Sequence, residues 1–253
     1  MAGERPETAE TYCPTIAVAA LDVLGINGLV STCDKGIAAM NVLSKFVFNA
    51  SIRDVYGDPT LLDRREQMYE VDLYFGDSMY LFADASRPLD AQVLWLLVRV
   101  ATLIGLGLWG PPRFLVRGAI AVGDLRKRLV RVGVTDREIR IGTSMTTAHR
   151  LQEAQDWIGA AVDAGAPLSN EATKWTSPME VPLKASSKVD GKPVSVNWIW
   201  LNGNLEQTQH DVLAAIRETG SFLAAGSKLA NTLEFLNGAY KHGLFAPFER
   251  PKG

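Results

Sequence analysis

Residues 16–28 read IAVAALDVLGING, and the fold is decided on this stretch. Ile16–Val23 is apolar on both faces, as a central strand covered by helices on each side must be. One carboxylate, Asp22, interrupts it near its end. Gly25-Ile26-Asn27-Gly28 then breaks the strand. From about 29 to 50 the apolar residues Val30, Ile37, Met40, Val42, Leu43, Phe46 and Val47 fall at helical spacing. A buried strand running into a helix predicts an α/β layer architecture.

The rest of the chain extends that pattern. After a polar loop (RDVYGDPT, 53–60), MYEVDLYFGDSMYLFAD (68–84) predicts two strands joined at Gly76-Asp77. A helix over 91–108, a strand over 113–122 and a turn at Gly123-Asp124 follow. Residues 126–141 predict a hairpin with one solvated face. A helix is expected from about 145 to 164, with Ala148, Leu151, Ala154, Trp157, Ile158 and Ala161 on its buried side. Residues 165–193, rich in Pro, Ser, Thr and Lys, suggest loop. VSVNWIWL (194–201) predicts a strand, and helices over 205–218 and 221–242 close the chain. The expected organisation is a tail over 1–12, a catalytic domain over 13–201 and a helical extension over 202–253 packed on the same domain.

Composition bounds the function. The 253 residues are 47% hydrophobic, with 26 Lys+Arg against 28 Asp+Glu. That balance does not suggest a nucleic-acid binder, and it is not that of a disordered chain. Cys13 and Cys33 make no disulfide framework, and His149, His210 and His242 lie too far apart for a histidine metal centre. The polar N-terminus, MAGERPETAETY, has no apolar core of a signal peptide. These features predict a soluble, cytoplasmic protein.

One segment opposes that reading. AQVLWLLVRVATLIGLGLWG (91–110) is about long enough to cross a bilayer. Arg99 near its middle would cost on the order of 3 kcal/mol there. Its neighbours in sequence are strands expected to share one sheet, so the run is assigned to a buried core helix.

The chemistry is expected around two carboxylates. Asp22 ends an apolar strand, where a charge needs compensation, and a divalent cation is the obvious source. Asp77 sits in a tight turn that also follows an apolar strand. If the two strands are neighbours, the carboxylates meet at one sheet edge and can hold Mg²⁺ or Mn²⁺ while leaving positions for phosphates. Leu24, Gly25, Ile26 and Asn27 lead into a helix N-terminus, whose free N–H groups favour a phosphate.

Four co-linear motifs over roughly residues 13–165 resemble the catalytic domain of class III nucleotidyl (adenylate/guanylate) cyclases. Asp22-Val23-Leu24-Gly25-Ile26 is similar to the family's Asp-Ile-x-Gly-Phe, and Gly76-Asp77 to its metal-binding Gly-Asp. Arg117–Gly123 (RGAIAVG) resembles Arg-x-Gly-Ile-x-x-Gly. Gly142–Leu151 (GTSMTTAHRL) resembles Gly-x-x-Val-Asn-x-Ala-x-Arg-Leu. The resemblance implies a mixed sheet flanked by helices with a ferredoxin-like core. It implies two cations (Mg²⁺ or Mn²⁺) per active site, held by Asp22, Asp77 and the Val23 backbone. It also implies a transition-state Arg150 donated across a homodimer with shared sites.

The departures are specific. The family's purine-selecting pairs fall near Leu73 and Ile139, both apolar here. Thr146 stands where the family has Asn, on the Arg150 face at i, i+4. These deviations resemble the pyrimidine cyclases of bacterial antiphage (Pycsar) systems, which make cyclic UMP or cyclic CMP for a separate effector protein. The expectation is a phosphorus–oxygen lyase converting UTP to 3′,5′-cyclic UMP and pyrophosphate, with CTP as the alternative substrate. Asn49, Arg53 and Tyr56 are further base-pocket candidates from the resemblance, while Lys184, Lys188 and Lys192 read first as a solvated loop and second as candidates for the γ-phosphate. Arg117 reads equally as a buried structural pair. The rival readings are a purine cyclase with unrecognised base contacts, a catalytically silent dimerisation or sensing module, and a membrane-anchored protein.

Overall fold

A computed structural model describes residues 10–26, 33–51, 69–75, 77–109, 112–132, 135–199, 204–218 and 226–245. The elements run β1 (Glu10–Leu24), α1 (Cys33–Ser51), β2 (Tyr69–Phe75), β3 (Ser78–Ala83), α2 (Leu89–Gly107), β4 (Leu115–Val132) and β5 (Thr135–Ile141). They continue α3 (Thr143–Ala154), β6 (Gly159–Val162), α4 (Asn170–Thr173), β7 (Thr176–Glu180), β8 (Val194–Val196), α5 (Leu205–Glu218) and α6 (Ser227–Lys241). The strands form one mixed sheet in the order β2-β3-β1-β4-β6-β8-β7, with β5 paired to the far half of β4. Only β4 and β6 run parallel among these pairs.

The decisive stretch is the centre of this sheet. Ile16 to Leu21, Val23 and Leu24 are buried, and β1 lies between β3 and β4. Asp22 is opposite Ser78 on one side and Arg117 on the other. Because register sets which side chains meet across strands, these three neighbours follow from the backbone pairing itself.

Helix α2 is apolar because it is enclosed. It connects β3 to β4, and residues on every side of it are buried, including Val93, Leu96, Val100, Leu103 and Ile104. By length and composition it could cross a membrane, but 78% of its apolar window is buried within the fold. Gln92 ties it to the sheet: its Oε1 accepts from the Ala17 N–H at 2.9 Å, next to the register shift between Cys13 and Ile16. Arg99 is buried as well, at 8% exposure. Lys45 of α1 donates to the carbonyls of Trp109 and Pro112 where the chain leaves α2.

Several expected boundaries are corrected. β1 begins at Glu10, because its first residues are exposed and polar and carry no apolar signal. β4 runs unbroken through Gly123-Asp124, which is not a turn. Gly123 instead permits a close approach, since a Cβ there would meet Thr143 Oγ1 at 2.5 Å and Ser144 N at 2.6 Å. The helix expected over 145–164 ends at Ala154, and residues 159–162 form β6 in the middle of the sheet. Trp157 and Ile158 are buried as expected, but in the link and not on a helix. Within 165–193, expected as loop, lie α4 and β7, and the strand expected over 194–201 is only Val194–Val196. The last helix is Ser227–Lys241, and residues 221–225 of its expected span lie outside the described residues.

The C-terminal helix seals the far half of the sheet with aromatic contacts. Phe235 stands 4.4 Å from Trp157 and 6.4 Å from Trp198, centroid to centroid, and all three are buried. Thr232 Oγ1 accepts from the Ile158 N–H at 2.9 Å. On α5, Glu218 forms an ion pair with Arg113 just before β4.

Candidate active site at the Asp22 edge

Asp22 and Asp77 are brought together by the β2–β3 hairpin. β1 pairs β3 with Asp22 opposite Ser78, which places the preceding turn residue, Asp77, beside the end of β1. The Val23 N–H donates to the Asp77 carbonyl at 2.9 Å, fixing turn to strand. Ser78 Oγ donates to Asp22 Oδ1 at 3.4 Å. The two carboxylates interact electrostatically: burial raises the Asp22 pKa, the Arg117 guanidinium opposes this, and Asp77 adds to the rise, leaving it above its ordinary value. A carboxylate made costly to ionise by burial and by a neighbouring negative charge, as Asp22 is, is suited to a divalent cation, which relieves both effects. Among the described residues no group of three or more His, Cys, Asp or Glu side chains converges, so such an ion would complete its shell with backbone, water or ligand oxygens.

Arg117 occupies the other side of Asp22. Its Nη2 donates to Asp22 Oδ2 at 3.1 Å and its Nη1 to the Gln155 carbonyl at 3.3 Å. Gln152 closes this cluster. With its amide oxygen toward the guanidinium it accepts from Nη2 at 3.0 Å and Nε at 2.9 Å, the orientation that two facing N–H donors require. Gln155 in turn donates through Nε2 to the Gly118 carbonyl at 2.7 Å and accepts from Trp157 Nε1 at 2.8 Å. Neither glutamine carries a role in the sequence reading. The available signal is a polar residue at the Ala148–Leu151 face of an otherwise apolar helical stripe.

Helix α3 presents a buried and an exposed side. Its buried side carries Ala148, Leu151 and Gln152 toward the sheet, while Arg150 and Thr146 are exposed. Residues 150 and 152 are about 200° apart around a helix, so Arg150 leaves on the side opposite the Asp22 cluster. Arg150 has no ion-pair partner among the described residues; Glu153 approaches His149 and Glu171 pairs with Lys174. Thr146 donates its hydroxyl proton to the Gly142 carbonyl at 3.0 Å, leaving only acceptor capacity for a ligand. The start of α3 is clamped by Asp124, whose carboxylate accepts from the backbone N–H of Thr143 at 3.0 Å and from its hydroxyl.

The remaining candidates separate. Val23, Leu24 and Ile26 are buried at the end of β1, and Gly25 turns the chain at φ 89, where a side chain would be strained. Asn27, Arg53 and Tyr56 lie outside the described residues, as do the side chains of Asn49 and Leu73. Ile139 is 53% exposed on β5 opposite Arg128. That partner lies eleven positions beyond Arg117 on β4, roughly 35 Å of extended strand from Asp22. Within one chain the structure therefore does not bring Ile139 to the carboxylates. Lys184, Lys188 and Lys192 are exposed. Lys184 donates to the Glu153 carbonyl at the end of α3, and its pKa is lowered by burial, with Arg117 and Lys228 adding to the effect.

The fold is that of class III nucleotidyl cyclase catalytic domains. The chain is similar to the guanylate cyclase domain of RhGC from Catenaria anguillulae, solved with GTP, at TM-score 0.55 and 11% identity over 74% of this chain and 97% of that one. A non-canonical dimeric guanylyl cyclase domain of the RhoGC fusion protein from Blastocladiella emersonii matches at TM-score 0.55 and 11% identity, over 74% and 97%. The adenylyl cyclase CyaB of P. aeruginosa matches at 0.51 and 14%, over 74% and 94%. The sequence matches no protein-family model and no curated protein.

Proposed function

We propose that this chain is a nucleotide cyclase, forming a 3′,5′-cyclic nucleotide and pyrophosphate from a nucleoside triphosphate. The observation that carries the reading is the meeting of Asp22 and Asp77 at the edge of a cyclase-type sheet. The two carboxylates would hold the divalent cations (Mg²⁺ or Mn²⁺), with the Val23 backbone beside them. Bound there, the cations supply Lewis acidity to the ribose 3′-hydroxyl and to the phosphates. Leu24 and Gly25, with Ile26 and Asn27 beyond, supply backbone at the strand end for the β- and γ-phosphates. The 3′-hydroxyl gives its proton to solvent and its oxygen attacks the α-phosphorus in line; the P–O bond to the β-phosphate breaks, and pyrophosphate carries away its electron pair.

Arg150 neutralises charge at the α-phosphate of a second copy's site. Its direction, away from its own Asp22, supports a homodimer with two shared sites. A shared site also gives Ile139 and Thr146 of one copy access to the nucleotide of the other.

The substrate in this reading is a pyrimidine, UTP first and CTP second. It rests on the apolar residues Leu73 and Ile139, which provide none of the charged or polar groups used to read a purine edge. The cyclic product would act on a separate effector protein in a cytoplasmic antiphage response. Incubation with each of the four nucleoside triphosphates and Mn²⁺, followed by mass identification of the product, tests this. Cyclic UMP or cyclic CMP supports the pyrimidine reading, a cyclic purine replaces it, and no cyclic product from any of the four removes the cyclase reading.

A further inference from the structure

Asp22 already has a cation. The Arg117 guanidinium lies 3.1 Å from Oδ2, and the pair is shielded, with side-chain exposures of 16% for Asp22 and 11% for Arg117. Cross-strand register makes the two residues direct partners, so their meeting does not depend on the choice of a long surface rotamer. The guanidinium is also contacted by the Gln152 amide oxygen (2.9 and 3.0 Å), whose position lies beside the pair at 3.3 Å from Asp22 Oδ2, and by the Gln155 carbonyl (3.3 Å). An ion entering between Asp22 and Asp77 therefore meets a carboxylate whose Oδ2 is already engaged by a guanidinium.

We propose that Arg117 is a built-in competitor for the Asp22 carboxylate and keeps the affinity of the site for free divalent ions low. This rests on the reading that Asp22 and Asp77 hold the ion. The ion loads effectively only when a polyanionic ligand brings enough negative charge to offset the guanidinium. Arg117 acts here through Asp22 as a positioning residue.

The test is direct Mn²⁺ binding to the nucleotide-free protein, read from the electron paramagnetic resonance of unbound Mn²⁺. The variants are Arg117→Met, Arg117→Gln, Arg117→Lys and Asp22→Asn, each first checked by thermal melting. Removing the charge in Arg117→Met or Arg117→Gln is expected to tighten Mn²⁺ binding about tenfold, the factor that one charge-assisted hydrogen bond corresponds to. Arg117→Lys, which keeps the charge, should stay close to the unaltered protein. Unchanged or weaker binding in the neutral variants, with binding abolished in Asp22→Asn, overturns the inference and leaves the cation site standing. Asp22→Asn binding Mn²⁺ as well as the unaltered protein overturns the cation site itself. Should neither neutral variant fold, solvent exchange of the Arg117 Nη protons in the unaltered chain decides: faster exchange at saturating Mg²⁺ supports competition, and unchanged exchange overturns it.

Discussion

Gln152 and Arg150 sit two positions apart on α3 and serve opposite sides of it. Gln152 is buried against Arg117, and Arg150 stands exposed with no ion-pair partner among the described residues. One helix thus supports the carboxylate cluster of its own chain and offers a cation outward.

Arg150→Ala should abolish cyclic nucleotide formation and leave the melting temperature unchanged, because the exposed side chain has no ion-pair partner among the described residues. If the arginine acts across a dimer, mixing Arg150→Ala with Asp77→Ala restores about a quarter of the activity. Half of randomly paired dimers are then mixed, and each has one complete site. Cyclase assays on the refolded mixture measure this, and no recovery would place Arg150 with its own Asp77.

Asp22 and Arg117 should be energetically coupled. Asp22→Ala leaves the guanidinium shielded from water without its carboxylate and should cost about 1–3 kcal/mol in urea unfolding. Arg117→Met made in addition should cost less than it does alone, with a coupling of about 0.5–3 kcal/mol. Strict additivity would show that the pair contributes nothing to folding.

Asp124 supplies a pH dependence with a definite sign. Hydrogen bonds from the Thr143 hydroxyl and N–H hold its carboxyl below the ordinary value of 3.8. Its stabilising effect is therefore complete above that value and is lost as the pH falls through the lower folded-state value. Thermal melts of the unaltered protein and Asp124→Ala should differ at neutral pH and converge in strong acid. A gap that persists into strong acid would exclude the carboxylate as its source.

Gly142→Ala should damage α3 and its two functional faces together. A Cβ there collides with the Asp124 carbonyl and crowds the Leu125 backbone, and neither can yield without breaking β4. The expected cost is about 1–3 kcal/mol, with activity falling alongside stability. Circular dichroism melts with parallel assays would separate this from a purely local change.

The legible parts of this molecule are those where one physical demand dominates. Apolar residues on both faces of 16–24 mark a central strand, and a lone carboxylate at its end marks a place needing compensation, as Asp22 does. Signals carried by spacing alone fare worse. Trp157, Ile158 and Ala161 fit a helical period, yet only their burial is true, because Gly159, at φ 154, starts a strand. Gly123-Asp124 resembles a turn from composition, but the glycine serves a close helix–strand approach and the aspartate clamps a helix start. Gln152 was hidden because a buried amide is distinguished from a solvated one only by what stands opposite it. That neighbour, Arg117, comes from a strand 35 positions earlier.

The enclosed helix α2 sets an order of events during synthesis. It is complete at Gly107, while β4, which pairs with β1 and covers part of it, ends 25 residues later at Val132. At roughly 5–20 residues per second, a 19-residue apolar helix waits about 1–5 s for its partner strand. In that interval it presents to chaperones and membrane-insertion machinery the same surface as a nascent bilayer span. Chains halted between these two points should aggregate or associate with membrane, and chains extended past Val132 should not.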